Sequence, residues 1–315
     1  MLHEISITPD VFLPQGYNPP QLCEACTEGL NMALLEWCLI RDLRDGGWKQ
    51  LLREHMNEMP FRTRTLWKSL MRSGRLQSFA SALSSNPTDD LQWCEEALEV
   101  HKGSPCLGIL ASAATKKTFQ QESTVTSIEN RSSSAWWKSL EAGHPGGPTT
   151  QRRLSDYQSR LLPLLNAARS LMFIDPHLDP AKQNYANFLE LIRPALNRTT
   201  PKPKIEIHRC CSEGSGRDAK VIDGPEWERR FGERWQAMLR SAGSQIEVFI
   251  WSDFHDRHLI TDLLGIHLGN GFDTSNDVNK RVTWSRLASR DRDEVQRLFD
   301  SSANGSKLIH RFTVQ

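Results

Sequence analysis

Several features are scarce in this 315-residue chain, and each shortage removes a class of protein. No apolar run approaches the ~20 residues that a bilayer-spanning helix needs, so no transmembrane segment is expected. The opening MLHEISITPDVFLP has neither a basic stretch nor a long apolar one. No secretory leader is expected there, and a cytoplasmic setting is. Cysteine is sparse and odd in number, seven in all, which does not suit a disulfide framework in a cytosolic chain of this length. Cys23 and Cys26 form a lone CxxC. A tetrahedral zinc site takes four ligands and no second pair follows at zinc spacing, so the pair reads as two helix residues, one facing the core. No sign of charge dominates, with 39 Lys and Arg against 38 Asp and Glu. The balance is uneven along the chain: residues 151–315 carry 25 against 21, and residues 1–150 carry 14 against 17. That contrast permits an anionic partner for the second half without demanding one.

What is present is ordinary globular composition and length for about two domains at roughly 150 residues each. His144-Pro-Gly-Gly-Pro148 is a strong breaker cluster and marks the boundary. Residues 1–150 read as a mainly helical N-terminal region. EISITPDVF opens it as a short strand that adds to a sheet edge or ties the terminus down. Residues 21–57 read as helices interrupted at Gly46-Gly47, followed by helices over 62–72, 77–83 and 89–101, the last capped by Asp89. CLGILA at 106–111 reads as a buried strand, and 121–130 as either a hairpin strand or a polar loop. Trp37, Trp48, Trp67 and Trp93 read as core anchors.

Residues 151–315 alternate helix and strand: a helix over 151–169 containing Pro163, a strand over 170–174, a helix over 184–196, a strand over 204–210, and a polar loop over 214–224. A helix over 225–242, a strand over 245–250, a second strand over 259–268, a helix over 291–301 and a closing strand over 307–314 complete the half. The expectation is an α/β chain: a helix-rich first region, then a layered sheet domain with helices on its faces. In such sheets ligands sit beyond strand ends. Asp175, His177, His208 and His255 all lie at or near predicted strand ends and are expected to converge. Asp175 and His177 also suit a strand-to-loop turn, and His208 a packed strand position. His258 and His267 read as structural or exposed.

The stretch Gln245–Asp273 carries the chemistry. A strand delivers His255-Asp256-Arg257-His258, and the segment closes on Gly269-Asn270-Gly271. In an extended segment His255 and Arg257 point the same way. An imidazole is a nucleophile toward phosphorus, a neighbouring cation stabilises the charge that develops, and backbone N–H groups of a glycine turn bind phosphate oxygens. His255, Arg257, Asp262, Gly269, Asn270 and Gly271 therefore form a phosphoryl-transfer set, with Asp175, His177 and His208 in support. No carboxylate cluster surrounds Asp256, so no metal and no cofactor are expected.

These spacings resemble the H-x-K-x4-D-x6-G-S-x-N motif of the phospholipase D superfamily. His255, Arg257, Asp262 and Gly269 fall in register; Arg257 stands for the lysine, Asn270 for the serine and Phe272 for the asparagine. The aspartate-proline strand end, the His-Asp-Arg triplet and the glycine turn closing on an aspartate are also similar to the membrane-binding C-terminal domain of some microtubule-interacting and trafficking proteins. The resemblance implies a phospholipase D-like fold for the second half and a phosphodiesterase, here a nuclease, in which His255 attacks the phosphodiester. The family works with two facing motifs and this chain has one. A homodimer, or a second group such as His177 or His208, would complete the site. The alternative is an inactive domain of the same fold that uses Arg257, Arg209 and the glycine turn to bind nucleic acid, anionic lipid or a protein. The tryptophan-rich first region would then suit a docking platform in a larger complex, such as a bacterial defence assembly.

Overall fold

Ile5 and Ile7 alternate with a buried serine, Ser6, and the chain opens as a strand, His3–Ile7 (β1), whose last three residues are buried. The computed structural model describes residues 2–142, 149–199, 201–214, 219–303 and 305–315. It divides into two units, Met1–Gly143 and His144–Gln315. The breaker cluster 144–148 lies outside the described residues.

The first unit runs through helix α1 (Leu22–Glu28), strand β2 (Cys38–Asp42), α2 (Leu43–Glu54), α3 (Phe61–Arg72), β3 (Leu76–Phe79), α4 (Asp90–Gly103), β4 (Gly108–Ala111), α5 (Ala113–Thr118), β5 (Val125–Ser127) and α6 (Ala135–Ala142). The strands form one all-parallel sheet in the order β3-β2-β1-β4-β5. The region is helix-rich, as expected, but its helices pack on a parallel sheet, and its first strand lies at the centre of that sheet instead of at an edge. β2 was hidden because both its faces are covered. Such strands show no alternation, and the run Cys38–Ile40 continues the apolar spacing of the preceding turn without a breaker. Even Arg41 is buried there, its guanidinium 2.9 Å from Glu4 Oε2. The break at Gly46-Gly47 is real: Arg44, Asp45 and Gly46 all have positive φ before α2 continues. Asp89 caps α4 by accepting the Gln92 N–H at 2.9 Å. Trp48, Trp67 and Phe12 pack edge-on or tilted with ring centroids 5.5–6.0 Å apart. Cys23 is buried on α1 and Cys26 half-buried, both as free thiols.

The second unit contains β6 (Thr149–Gln151), α7 (Leu154–Ala167), β7 (Ser170–Ile174), α8 (Phe188–Leu196), β8 (Lys204–Cys210), β9 (Ser212–Glu213), β10 (Lys220–Val221), α9 (Gly224–Ala242), β11 (Ile246–Trp251), β12 (His258–Thr261), β13 (Gly265–Leu268), β14 (Arg281–Arg286), α10 (Ser289–Leu298) and β15 (Leu308–Val314). Eight strands form one mixed sheet, ordered β15-β11-β8-β7-β12-β13-β14-β6, with β9 and β10 a separate two-stranded ribbon. β7, β8 and β11 are parallel; every other pairing in that sheet is antiparallel. The single strand expected over 259–268 is a hairpin that turns at Asp262–Leu264, where Thr261 Oγ1 accepts the Leu264 N–H at 3.0 Å. Pro194 does not end α8 early; the helix continues to Leu196. Trp227, Phe231, Trp235 and Leu239 form the buried stripe of α9. The α/β class read from the alternation is what the chain adopts.

Candidate functional site

β7 ends at Ile174, and the next residue, Asp175, is completely buried. Proline after it ends the strand, and the carboxylate is held from four sides. Its Oδ2 accepts the Tyr185 hydroxyl at 3.0 Å and the Phe272 N–H at 3.0 Å, and its Oδ1 accepts the His177 N–H at 3.0 Å. Arg257 Nε lies 4.0 Å from Oδ1. Burial pushes the Asp175 pKa up, and the three hydrogen bonds and Arg257 oppose that shift.

The glycine turn therefore serves an anion, but an internal one. Gly271 has φ +74°, and a Cβ there would stand 2.1 Å from Asp175 Oδ2. The turn presses against the carboxylate, and only glycine fits both the backbone conformation and the space. Phe272 explains itself in the same way. Its N–H goes to Asp175 while its ring packs on Phe173 and Phe188, with centroids 5.1 and 5.8 Å away. Gly269 and Asn270 are exposed and stay outside this arrangement. Next to the turn, Asp273 pairs with Arg152 and accepts Asn184 Nδ2–H at 3.5 Å, and burial raises its pKa.

Arg257 and His255 do not share an environment. Residues 253–257 form no regular strand, so the alternation argument does not apply. Arg257 turns inward to Asp175 and is 28% exposed, whereas His255 is 89% exposed, and its nearest charged partner is Asp253 Oδ2 at 3.8 Å. His177 is half-buried beside them. Burial first, and then the charges of Arg257, Arg209, Lys182 and His255, hold its pKa below the ordinary histidine value.

Three expected members stand elsewhere. Asp262 lies beyond the far end of β12 from His255. There it accepts the Arg169 N–H at 2.9 Å and the Ser170 N–H at 3.3 Å, tying down the start of β7. It is a strand anchor, because a four-residue strand separates it from the loop. His208 is 1% exposed and stacks on Phe249 with centroids 4.6 Å apart, edge-on to Phe299 at 5.4 Å. Its Nδ1 accepts the Trp251 indole N–H at 3.0 Å. Since indole only donates, Nδ1 carries the lone pair, and burial keeps the ring's pKa low. His208 is a packed strand residue, out of reach of the loop. Arg209 is likewise spent: its guanidinium donates to the carbonyls of Cys210, Leu178 and Ser212 and lies 3.2 Å from the centre of the Trp227 ring.

No protein-family model matches the chain, and no curated protein matches it. Among solved structures it is similar to TrmBL2, described as an archaeal chromatin protein with a novel mode of DNA binding. The identity is 11% over 79% of this chain and 82% of that one, with a TM-score of 0.30. A likeness that slight carries no argument about fold or function.

The site that geometry brings together is thus His177 and Arg257 around Asp175, with Tyr185 and Gly271 behind them and the exposed His255 at its outer edge. Tyr185 was missed by sequence reasoning. It follows the Asp-Pro strand end by ten residues inside a short 3-10 turn, Gln183–Tyr185, that no periodicity marks. Asp179 was also missed: buried at 1% exposure, it accepts from Arg230 at 3.1 Å. The repeated D-P in DPHLDP is the signal that could have drawn attention to it.

Proposed function

We propose that the second unit binds the phosphate backbone of nucleic acid at the loop cluster formed by His177, His255 and Arg257, and that it holds this ligand without cutting it. One observation carries the reading: Arg257, although 4.0 Å from the buried Asp175, remains 28% exposed beside half-buried His177, so positive charge is left at the surface of the loop cluster. Such a cluster attracts phosphate and makes affinity fall with salt. The catalytic set that the phospholipase D-like spacing implied is dispersed. The Phe272 N–H goes to Asp175, the Gly271 and Gly269 N–H groups go to the carbonyls of Leu268 and Thr283, Asp262 anchors β7, and among the described residues no group lies within hydrogen-bond reach of the His255 ring to activate it.

The phosphodiesterase reading keeps one specific support. His255 lies close enough to act on the titration of His177, so a single chain holds two histidines of the kind a nucleophile and a leaving-group acid require. In that case His255 Nε2 would attack phosphorus and the second imidazole would protonate the departing oxygen.

Fluorescence anisotropy with labelled single-stranded DNA, duplex DNA and RNA separates the readings when run beside turnover of bis-p-nitrophenyl phosphate. The binding reading expects no turnover, and affinity that drops at least tenfold between about 50 and 200 mM salt. It also expects Arg257→Ala to weaken binding by about tenfold. Turnover that disappears in His255→Ala would replace it with the hydrolase reading. Failure of all three nucleic acids to bind, with uptake on anionic vesicles instead, would overturn nucleic acid as the ligand.

A further inference from the structure

Behind the loop, on the β12–β13 hairpin, two histidines stand directly opposite one another: His258 pairs with His267. The flanking bond runs from the Leu268 N–H to the Arg257 carbonyl at 2.9 Å. That pattern makes 258/267 a non-hydrogen-bonded pair, the type in which facing side chains approach most closely. The imidazole centroids are 5.3 Å apart and the rings are inclined at 57°. His258 is 6% exposed, and its Nδ1 is buried without a hydrogen-bond partner among the described residues. Buried polar nitrogens are nearly always satisfied, so this one calls for a partner that the protein does not supply. His267 is only half-buried, which leaves a route from solvent.

We propose that His258 and His267 form a two-histidine site for a divalent transition-metal ion such as Zn²⁺, with water completing the coordination. At Zn–N bonds of ~2.0–2.1 Å, two imidazoles on one tetrahedral ion hold their ring centres about 5 Å apart, close to the spacing seen here. Packed aromatic rings also reach that spacing. The orphaned nitrogen is what favours an ion, since packing alone would leave it unsatisfied. Imidazole donors suit Zn²⁺, Cu²⁺ and Ni²⁺ rather than Mg²⁺ or Ca²⁺. Among the described residues no third His, Cys, Asp or Glu joins the pair, so the site is an open one. The inference does not rest on the phosphate-binding proposal, because it uses neither His177, His255 nor Arg257.

The test uses the full chain stripped with chelator and titrated with ZnCl₂ by calorimetry, beside His267→Ala and His267→Gln. The seven cysteines are common to all three proteins, so the difference between them isolates the pair. The parent is expected to bind one ion more than either variant, or to bind it at least the roughly 10–100-fold tighter that even a supporting group contributes. Arg257→Ala should bind zinc like the parent, which separates this site from the phosphate cluster. Should the His267 variants fail to fold, electron paramagnetic resonance of Cu²⁺ added to the parent and to a His177→Ala/His255→Ala variant decides: coupling to two imidazole nitrogens in both supports the site, and its absence from either overturns it. Equal zinc binding by parent and folded variants would also overturn it.

Discussion

Both units place a buried aspartate just beyond the end of a central parallel strand, yet the two are closed in different ways. In the first, Asp10 follows β1, where the strand order reverses between β1 and β4, the usual ligand crevice of such sheets. Its carboxylate accepts the hydroxyls of Thr8 and Thr115 and the Ser112 N–H at the start of α5. Its own N–H donates to Asp90 Oδ1 at 3.1 Å. Neutral donors, a helix start and a second acid surround it, so the crevice is filled from within. In the second unit, Asp175 has comparable hydrogen bonds but also a cation, Arg257, that remains partly exposed. A carboxylate satisfied by hydroxyls seals a strand end. One that is also paired with a half-exposed arginine leaves positive charge at the surface. The same position in the sheet thus gives a structural plug in one unit and, in the other, a strand end with a partly exposed cation, the proposed rim for an anion.

The sharpest way to break this comparison is Asp175→Ala. It leaves Arg257 and three donors without their acceptor, and a loss of about 3–5 kcal/mol is expected in urea unfolding of the second unit, with nucleic-acid binding lost as well. Asp10→Ala should destabilise the first unit and leave binding intact. If it abolished binding too, the contrast between plug and rim would be wrong.

Gly271→Ala comes next. Its Cβ would overlap the Asp175 carboxylate at a positive φ, and thermal unfolding should show a cost of ~2–4 kcal/mol. Gly269→Ala, whose Cβ would meet nothing closer than 3.5 Å, should cost less than about 1 kcal/mol.

A smaller effect concerns acidity in the first unit. Burial first, and then Asp10, push the Asp90 pKa up to about 7. The folded state therefore keeps a proton that the unfolded chain has already lost, and stability should fall as pH rises from about 4 to 7. The drop is expected to be ~2 kcal/mol once screening at this partly exposed group is allowed for. Asp90→Asn should flatten that slope in unfolding curves taken across the range. The smallest effect is Asp262→Ala. Losing its bonds to the Arg169 and Ser170 N–H groups should cost about 1 kcal/mol and leave nucleic-acid affinity unchanged; a clear loss of affinity would return Asp262 to the site.

Much of the fold was legible. The second unit's helices and its parallel strands β7, β8 and β11 follow from apolar spacing and from breakers, as do α3, α4 and β4 in the first. The strands that escaped, β2 and β3, and β5, whose sequence suits strand and loop alike, are short or covered on both faces, so neither length nor alternation marks them. β6 and β14 escaped as well, since β6 is three polar residues and β14 has only Val282 and Trp284 as apolar members. Within the site, the sequence singled out Asp175, His177, Arg257 and Gly271, and the fold brings these four together. It misplaced Asp262 and His208, because spacing along the chain does not tell which end or which face of a strand a side chain occupies.

Local chemistry alone determined that Pro176 ends β7, that Asp89 caps α4 and that position 271 requires glycine or strain. Each of these depends on a few adjacent residues. Whether the glycine turn would meet a ligand or the protein's own Asp175 was decided only when residues 175 and 271, 96 positions apart, were folded against each other. A backbone N–H binds whichever anion the tertiary structure brings within 3 Å, and here that anion is internal. The positive charge left over for any outside ligand is therefore what Arg257, His177 and His255 still present once Asp175 has been satisfied.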